Sequence, residues 1–188
     1  AMVHSVNTVA ARLIEDIGVD PVQKLARALG ITTEIGADLS IALGTSEVRP
    51  LDLARAYCAI ANGGLRVEPH YIRRIGTEPV ERPEPRRVMR AEVAHVLASM
   101  MQSVVREGTA RRALRLRRPV AGKTGTTNEQ KDAWFAGFTP QLVAVVWVGF
   151  DRPRRLGRHE TGGRAALPIW VRFMKQALRG EPKLPFKQ

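Results

Sequence analysis

The sequence predicts an α+β fold, an antiparallel sheet flanked by helices. Three observations carry that expectation. Helical periodicity recurs up to Gly108; short runs rich in Val, Phe, Trp and Thr follow, separated by turn signals; and one more amphipathic stretch closes the chain. Helices, then neighbouring strands, then a covering helix is an order suited to hairpins rather than to alternating βαβ units. With 188 residues, 44% of them hydrophobic and 26% charged, the chain has the size of one domain and can bury a sizeable core.

The first helix is expected in "MVHSVNTVAARLIEDIG", where Val6, Val9, Ala10, Leu13, Ile14 and Ile17 keep a helical period. Asn7 is the expected N-cap before a helix starting at Thr8. Ser5 and Asn7 share a face only if Ser5-Val6-Asn7 is extended. In "DPVQKLARALG", Asp20 reads as N-cap, Pro21 as first helical residue, Gln23 as capping-box partner and Gly30 as the stop. A further helix follows Pro50 through "LDLARAYCAIAN" and stops at Gly63-Gly64, and "GTEPVERPEPRR" reads as an exposed connection. Val93, Val96, Leu97, Met100, Met101 and Val104 predict a helical stripe ending at Gly108.

Strands are then expected in "RPVAGKTGTT", "AWFAGFTP" and "LVAVVWVGFD", with turns at Asn128 and Pro140-Gln141 and the last two forming a hairpin. After "ETGGRAALP", the residues Trp170, Phe173, Met174, Ala177 and Leu178 mark the covering helix. Residues 1–180 are read as domain and 181–188, "EPKLPFKQ", as a polar tail.

Composition excludes several classes of function. The single cysteine, Cys58, rules out an internal disulfide and a Cys-based zinc site, and its helical apolar position suits a small core side chain. His4, His70, His95 and His159 lack metal-ligand spacing, so no metal or cofactor is implied. No apolar run reaches the roughly 18–20 residues of a membrane span, and the N-terminal stretch lacks the pattern of a signal peptide. The net charge of +12 raises the question of nucleic acid, but basic residues are spread along the chain and aromatics are 5%. A solvated basic surface, facing anionic lipid or wall polymer, fits better than a nucleic-acid partner. The run "RRALRLRR" (111–118) is read in the same way.

Chemistry concentrates in "VAGKTGTTNEQKDAWFAGF". A phosphate loop, G-x-x-x-x-G-K-[ST], would need glycine at position 117, which is Arg117, and a helix where the sequence turns into a strand. As a strand, the segment places the Thr124 and Thr126 hydroxyls on one face, able to grip a carboxylate. Lys123 adds positive charge, Gly125 permits close approach of a peptide backbone, and the Thr126 N–H is a candidate oxyanion donor.

Together with Ser5-x-Asn7, this strand resembles the penicillin-recognising serine transpeptidases, whose signature is S-x-x-K, S-x-N and K-T-G. "SVNTVAARL", "ALGTSEVRPLDLARAYCAIANGG", "VVREGTARR", "PVAGKTGTTNEQKDAWFAGFTPQLVAVVWVGFD" and "ETGGRAALPIW" are similar to the later two-thirds of the transpeptidase domain of class A, bifunctional penicillin-binding proteins. In the other large class the strand motif more often continues with Ala-Gln than with Thr127-Asn128. The resemblance implies a β-lactamase/transpeptidase-like fold, N-terminally incomplete. It also implies that Ser5 relays a proton to the leaving group and that Asn7 bonds the substrate amide and a catalytic lysine. By the same resemblance Lys123, Thr124 and Thr126 bind the terminal carboxylate of a D-Ala-D-Ala stem peptide or of a β-lactam, and Thr126 N–H shares the oxyanion hole.

The nucleophile is the departure. Ser5, Ser40, Ser46, Ser99 and Ser103 are followed at the third position by Thr8, Leu43, Arg49, Gln102 and Arg106, none of them lysine, and arginine keeps its proton. The chain is therefore expected to be a C-terminal portion, partnered by an upstream segment that carries S-x-x-K, on the extracytoplasmic face of the membrane. A catalytically silent binding module and a basic nucleic-acid-binding domain are the competing readings.

Overall fold

The computed structural model describes residues 1–186; positions 187 and 188 of the expected tail, and the side chain of Asn128, lie outside the described residues. The fold is α+β, as expected. Helices α1 (Asn7–Ile17), α2 (Val19–Leu29) and α3 (Pro50–Ala61) come first. Two small antiparallel ladders follow, β1 (Leu65–Arg66) with β4 (Arg86–Arg87) and β2 (Arg74–Ile75) with β3 (Glu78–Pro79). Then come α4 (Ala91–Glu107), the main strands β5 (Ala121–Thr126), β6 (Ala133–Phe138) and β7 (Val143–Val148), and α5 (Leu167–Ala177).

The main sheet has the order β5-β6-β7, antiparallel throughout, so β5 is an edge. Its register pairs Lys123 with Ala136, Thr124 with Phe135, and Gly125 with Trp134 and, beyond it, Trp147. Side chains paired across a ladder share a face. Thr124 and Thr126 therefore stand on the Phe135 face, and Lys123 and Gly125 on the Trp134 face.

Helix α5 covers the Phe135 face. The Trp170 ring meets Phe135 edge-on at 5.0 Å, and its Nε1 donates to the Ala144 carbonyl at 2.9 Å. Phe135, Leu167, Trp170 and Met174 are fully buried, each such side chain contributing about 1.5–3 kcal/mol. The Ala121–Phe138 end of the opposite face is covered by α3 and α4 through Ile60, Ala94, Ala98 and Met101.

Several local expectations need correction. The buried line of α4 is Ala94, Ala98, Met101, Val104 and Val105, whereas Val93, Val96 and Met100 are 49%, 57% and 45% exposed. Met101 and Val104 of the predicted stripe are buried as expected, and Ala94 and Ala98 let the helix approach the sheet closely, so Val93, Val96 and Met100 fall outside the contact. Asp20 is not an N-cap: Gly18 alone separates α1 from α2, and Asp20 lies in the first turn of α2, where its charge suits the helix dipole. Gln23 makes no capping box; its Nε2 donates to the carbonyls of Ile35 and Gly36 at 2.8 and 2.9 Å, pinning the following loop. Gly30 ends α2 in the left-handed region, as expected.

The basic run forms a 3-10 turn (Arg111–Leu116) that buries Ala113 and Leu116. Arg118 departs from the solvated default. Its guanidinium donates to the carbonyls of Leu178, Glu181 and Pro182 at 2.6–2.7 Å, capping the end of α5. Phe186 lies edge-on to Phe138 at 5.7 Å. Cys58 is half-buried, and burial pushes its thiol pKa up, in keeping with a packing role. Among the described residues, no helix is long and apolar enough to cross a membrane.

Candidate active site

Strand β5 meets the Ser5 segment through a hydrogen bond from its lysine. Lys123 Nζ donates to Ser5 Oγ at 2.8 Å and to the Thr124 carbonyl at 2.9 Å. Because Ser5 Oγ accepts from the ammonium, its own O–H is free to donate elsewhere. Burial pulls the Lys123 pKa below the ordinary lysine range.

The backbone at Ser5 is not extended, contrary to the sequence expectation. It lies in a turn closed by Ser5 N–H to the Met2 carbonyl (3.3 Å) and Val6 N–H to the Ala1 carbonyl (3.1 Å), with φ +55°. A left-handed residue bearing a Cβ costs roughly 1–2 kcal/mol. Asn7 is not the cap either: it is the first residue of α1, Val6 occupies the cap position, and no side chain caps the helix. The Asn7 side chain is exposed.

On the opposite face of β5 stand the hydroxyls. Thr126 Oγ1 accepts from the Gly162 N–H at 3.1 Å, which leaves the Thr126 O–H free to donate. Thr124 Oγ1 is hydrogen-bonded to Thr109 Oγ1 at 2.7 Å. At Gly125, a Cβ would lie 3.2 Å from Trp134 Cβ, so this position packs tightly against β6.

Two glycines bring the surrounding loops within reach. A Cβ on Gly162 would stand 2.3 Å from the Trp134 carbonyl oxygen and 2.5 Å from that of Gly125, so only glycine lets this loop lie on the sheet. A Cβ on Gly108 would stand 2.1 Å from the Val3 carbonyl oxygen. The end of α4 is thereby seated against the Ser5 turn.

After β5 the chain closes a small loop on Asp132. Thr127 Oγ1 accepts from the Asp132 N–H at 2.8 Å, and Trp147 Nε1 donates to Asp132 Oδ1 at 2.8 Å. Between the Trp134 face of the sheet and the α2–α3 region lies a cleft of about 740 Å³, lined by Lys123, Gly125, Trp134, Trp147, Tyr57 and Ile41 among others. No cluster of His, Cys, Asp or Glu among the described residues is placed to hold a metal.

Of the sequence-derived candidates, the structure joins Ser5 to Lys123 directly, sets Asn7 two residues beyond, and aligns Lys123, Thr124, Gly125 and Thr126 on one edge strand. Sequence reasoning did not single out Thr109, Asp132 and Gly162 as site members. The runs "REGTARR" and "ETGGRAALP" held the only signal for the first and last, glycine beside threonine in a loop.

A helix-flanked antiparallel sheet whose Lys-Thr-Gly edge strand contacts a Ser-x-Asn turn defines the transpeptidase class of the penicillin-recognising proteins. Residues 1–175 match the family model described as the penicillin binding protein transpeptidase domain, and the chain belongs to that family. Within it, the relatives are class A proteins. The chain is 43% identical over 192 residues to penicillin-binding protein 1A of Aquifex aeolicus, covering 100% of this chain and 26% of that protein. It is 42% identical over 199 residues to penicillin-binding protein 1A of Neisseria meningitidis serogroup A, covering 96% and 24%. The crystal structure of penicillin-binding protein 1A from Haemophilus influenzae superposes with a TM-score of 0.90 at 29% identity, over 100% of this chain and 35% of that one. The chain thus spans about a quarter of the length of these curated relatives, and it corresponds to the C-terminal part of the transpeptidase domain.

Proposed function

We propose that this chain supplies the Ser5–Asn7 and Lys123–Thr126 walls of a peptidoglycan D,D-transpeptidase site, completed by a serine-lysine pair from an upstream segment of the same protein. The observation that carries the reading is the 2.8 Å contact from Lys123 Nζ to Ser5 Oγ, made across 118 residues of sequence. It joins the two motifs at one point of the surface.

In this reading the upstream serine gives its proton to the lysine paired with it and its oxygen attacks the carbonyl of the penultimate D-alanine, and the Thr126 N–H supports the oxyanion. The amide to the terminal D-alanine breaks, and its departing amine takes a proton through the free Ser5 O–H. The amine of a neighbouring stem peptide then attacks the serine ester, forming the cross-link, and the proton it loses returns to the departing serine oxygen by way of the lysine. Thr126 O–H and the hydroxyl pair at Thr124 donate to the terminal carboxylate, with Lys123 supplying positive charge nearby. A β-lactam, bearing its own carboxylate, enters the same pocket. The cleft over Trp134 and Trp147, with Lys123 at its wall, offers the space for the nucleophile-bearing segment. The working location is the extracytoplasmic face of the cytoplasmic membrane.

Denaturing mass spectrometry after incubation with a β-lactam tests this on protein in which the chain is accompanied by its upstream segment. A mass gain on the serine-lysine segment, lost or slowed by orders of magnitude in Lys123→Ala, supports the reading. An adduct within residues 1–188 contradicts it. Absence of any adduct favours the second reading, a silent carboxylate-binding module, which draws on the lack of S-x-x-K in the chain.

A further inference from the structure

We propose that Thr109 is a positioning residue of the carboxylate pocket: it donates its hydroxyl proton to Thr124 Oγ1 and so directs the Thr124 O–H at the substrate's terminal carboxylate. The inference rests on the reading of β5 as the carboxylate strand and adds to it a residue from outside the three motifs.

The geometry is specific. The two Oγ1 atoms lie 2.7 Å apart across 15 residues of sequence, and Thr109 is exposed at the loop after α4. In a hydroxyl pair one O–H is spent on the partner and one remains. With Thr109 as donor, the remaining proton is on Thr124, beside the Thr126 O–H on the same sheet face. The two threonines of β5 then present two donors to an anion that needs two. Donation into Thr124 also polarises its O–H, strengthening the bond it gives to a carboxylate.

Thr109 is held in place from both sides. Its N–H donates to the Val3 carbonyl at 3.3 Å, in the segment leading to Ser5. Gly108 packs against the same carbonyl, and a Cβ on Gly163 would stand 3.0 Å from the Thr109 carbonyl oxygen. The following residue, Ala110, is fully buried. One threonine thus touches the Ser5 turn, strand β5 and the 161–163 loop, and cannot drift without all three moving. Its side chain, by contrast, is hydrogen-bonded to another site hydroxyl rather than to a backbone group.

The test compares acylation of the intact transpeptidase, nucleophile segment included, by benzylpenicillin and by its methyl ester, which lacks the carboxylate charge. Thr109→Val keeps the shape and removes the hydroxyl; it is expected to slow benzylpenicillin about tenfold while the ester stays within about twofold, since only the charge-assisted bond is lost. Thr109→Ser is expected to restore the parent rate. Equal slowing of both probes, or no slowing, overturns the assignment. Thr126→Val separates the two levels of inference. If it removes the preference for the charged probe and Thr109→Val does not, the role of Thr109 fails alone; if neither variant changes the preference, the carboxylate reading of β5 fails with it.

Discussion

Replacing Gly162 by alanine should damage stability and site together, and the size of the effect follows from the distances. The new Cβ would sit 2.3 Å from the Trp134 carbonyl oxygen and 2.5 Å from that of Gly125. Ordinary carbon–oxygen contacts begin near ~3.3 Å, so the 161–163 loop must withdraw by roughly 1 Å. Both obstacles are backbone atoms of a paired ladder, which give less readily than side chains. Withdrawal stretches the 3.1 Å bond from Gly162 N–H to Thr126 Oγ1 beyond hydrogen-bonding range. Losing that bond costs about 1 kcal/mol, and forcing the methyl into a packed site about 1–3 kcal/mol more. The sum, about 2–4 kcal/mol, corresponds to a melting-point fall of roughly 5–15 °C for a chain of this size. Differential scanning fluorimetry and urea titration of parent and variant read it directly. Gly163→Ala, whose Cβ would lie 3.0 Å from the Thr109 carbonyl oxygen and 3.9 Å from the Thr124 methyl, is the milder comparison. A Gly162→Ala protein within about 0.5 kcal/mol of the parent would refute the claim that this loop is held against the sheet by a missing side chain.

Three other outcomes follow from the structure. Burial lowers the Lys123 pKa, so its charge opposes folding below the folded-state value, and stability should rise as pH climbs through that value toward the ordinary lysine range; Lys123→Met should flatten the rise, as read by urea unfolding at about pH 7 and about pH 10. Arg118→Ala removes three donors to carbonyls at the end of α5 and should cost about 1–3 kcal/mol, with faster amide exchange near 178–182, whereas Arg111→Ala and Arg115→Ala should stay within about 0.5 kcal/mol and leave β-lactam acylation unchanged. The isolated chain exposes Val9, Leu13 and Ile17 on α1 and Val93, Val96 and Met100 on α4, so it should bind anilinonaphthalene sulfonate and unfold with a low midpoint; a sharp two-state transition at high temperature without dye binding would contradict this.

What the sequence disclosed, and what it hid, separates along physical lines. The β6–β7 hairpin was legible because its strands are rich in valine and aromatic residues around a short turn, and α3 because proline and paired glycines punctuate it. The face of α4 was only half judged, because periodicity weighs large apolar residues: Met101 and Val104 are buried, but Ala94 and Ala98 complete the packed line in place of Val93, Val96 and Met100. The alternation of a strand placed Thr124 and Thr126 together correctly, whereas family resemblance assigned Ser5 and Lys123 to one site without their direct contact, since no local rule links residues 118 apart. Thr109, Asp132 and Gly162 stayed hidden for the same reason. Their partners, Thr124, Trp147 and Thr126, are supplied by packing between segments. The turn at Ser5 ran against a propensity-based reading altogether, because a left-handed serine is held there by the contacts around it rather than preferred on its own.

That left-handed serine sets two selective pressures against each other. Glycine at position 5 would relieve roughly 1–2 kcal/mol of backbone strain, so drift toward greater stability favours it. The same change deletes the hydroxyl that Lys123 engages. A lineage that keeps serine here accepts a standing loss of stability for the sake of one oxygen atom. Libraries screened for thermal resistance alone should therefore recover Ser5→Gly, and libraries screened for drug acylation should discard it.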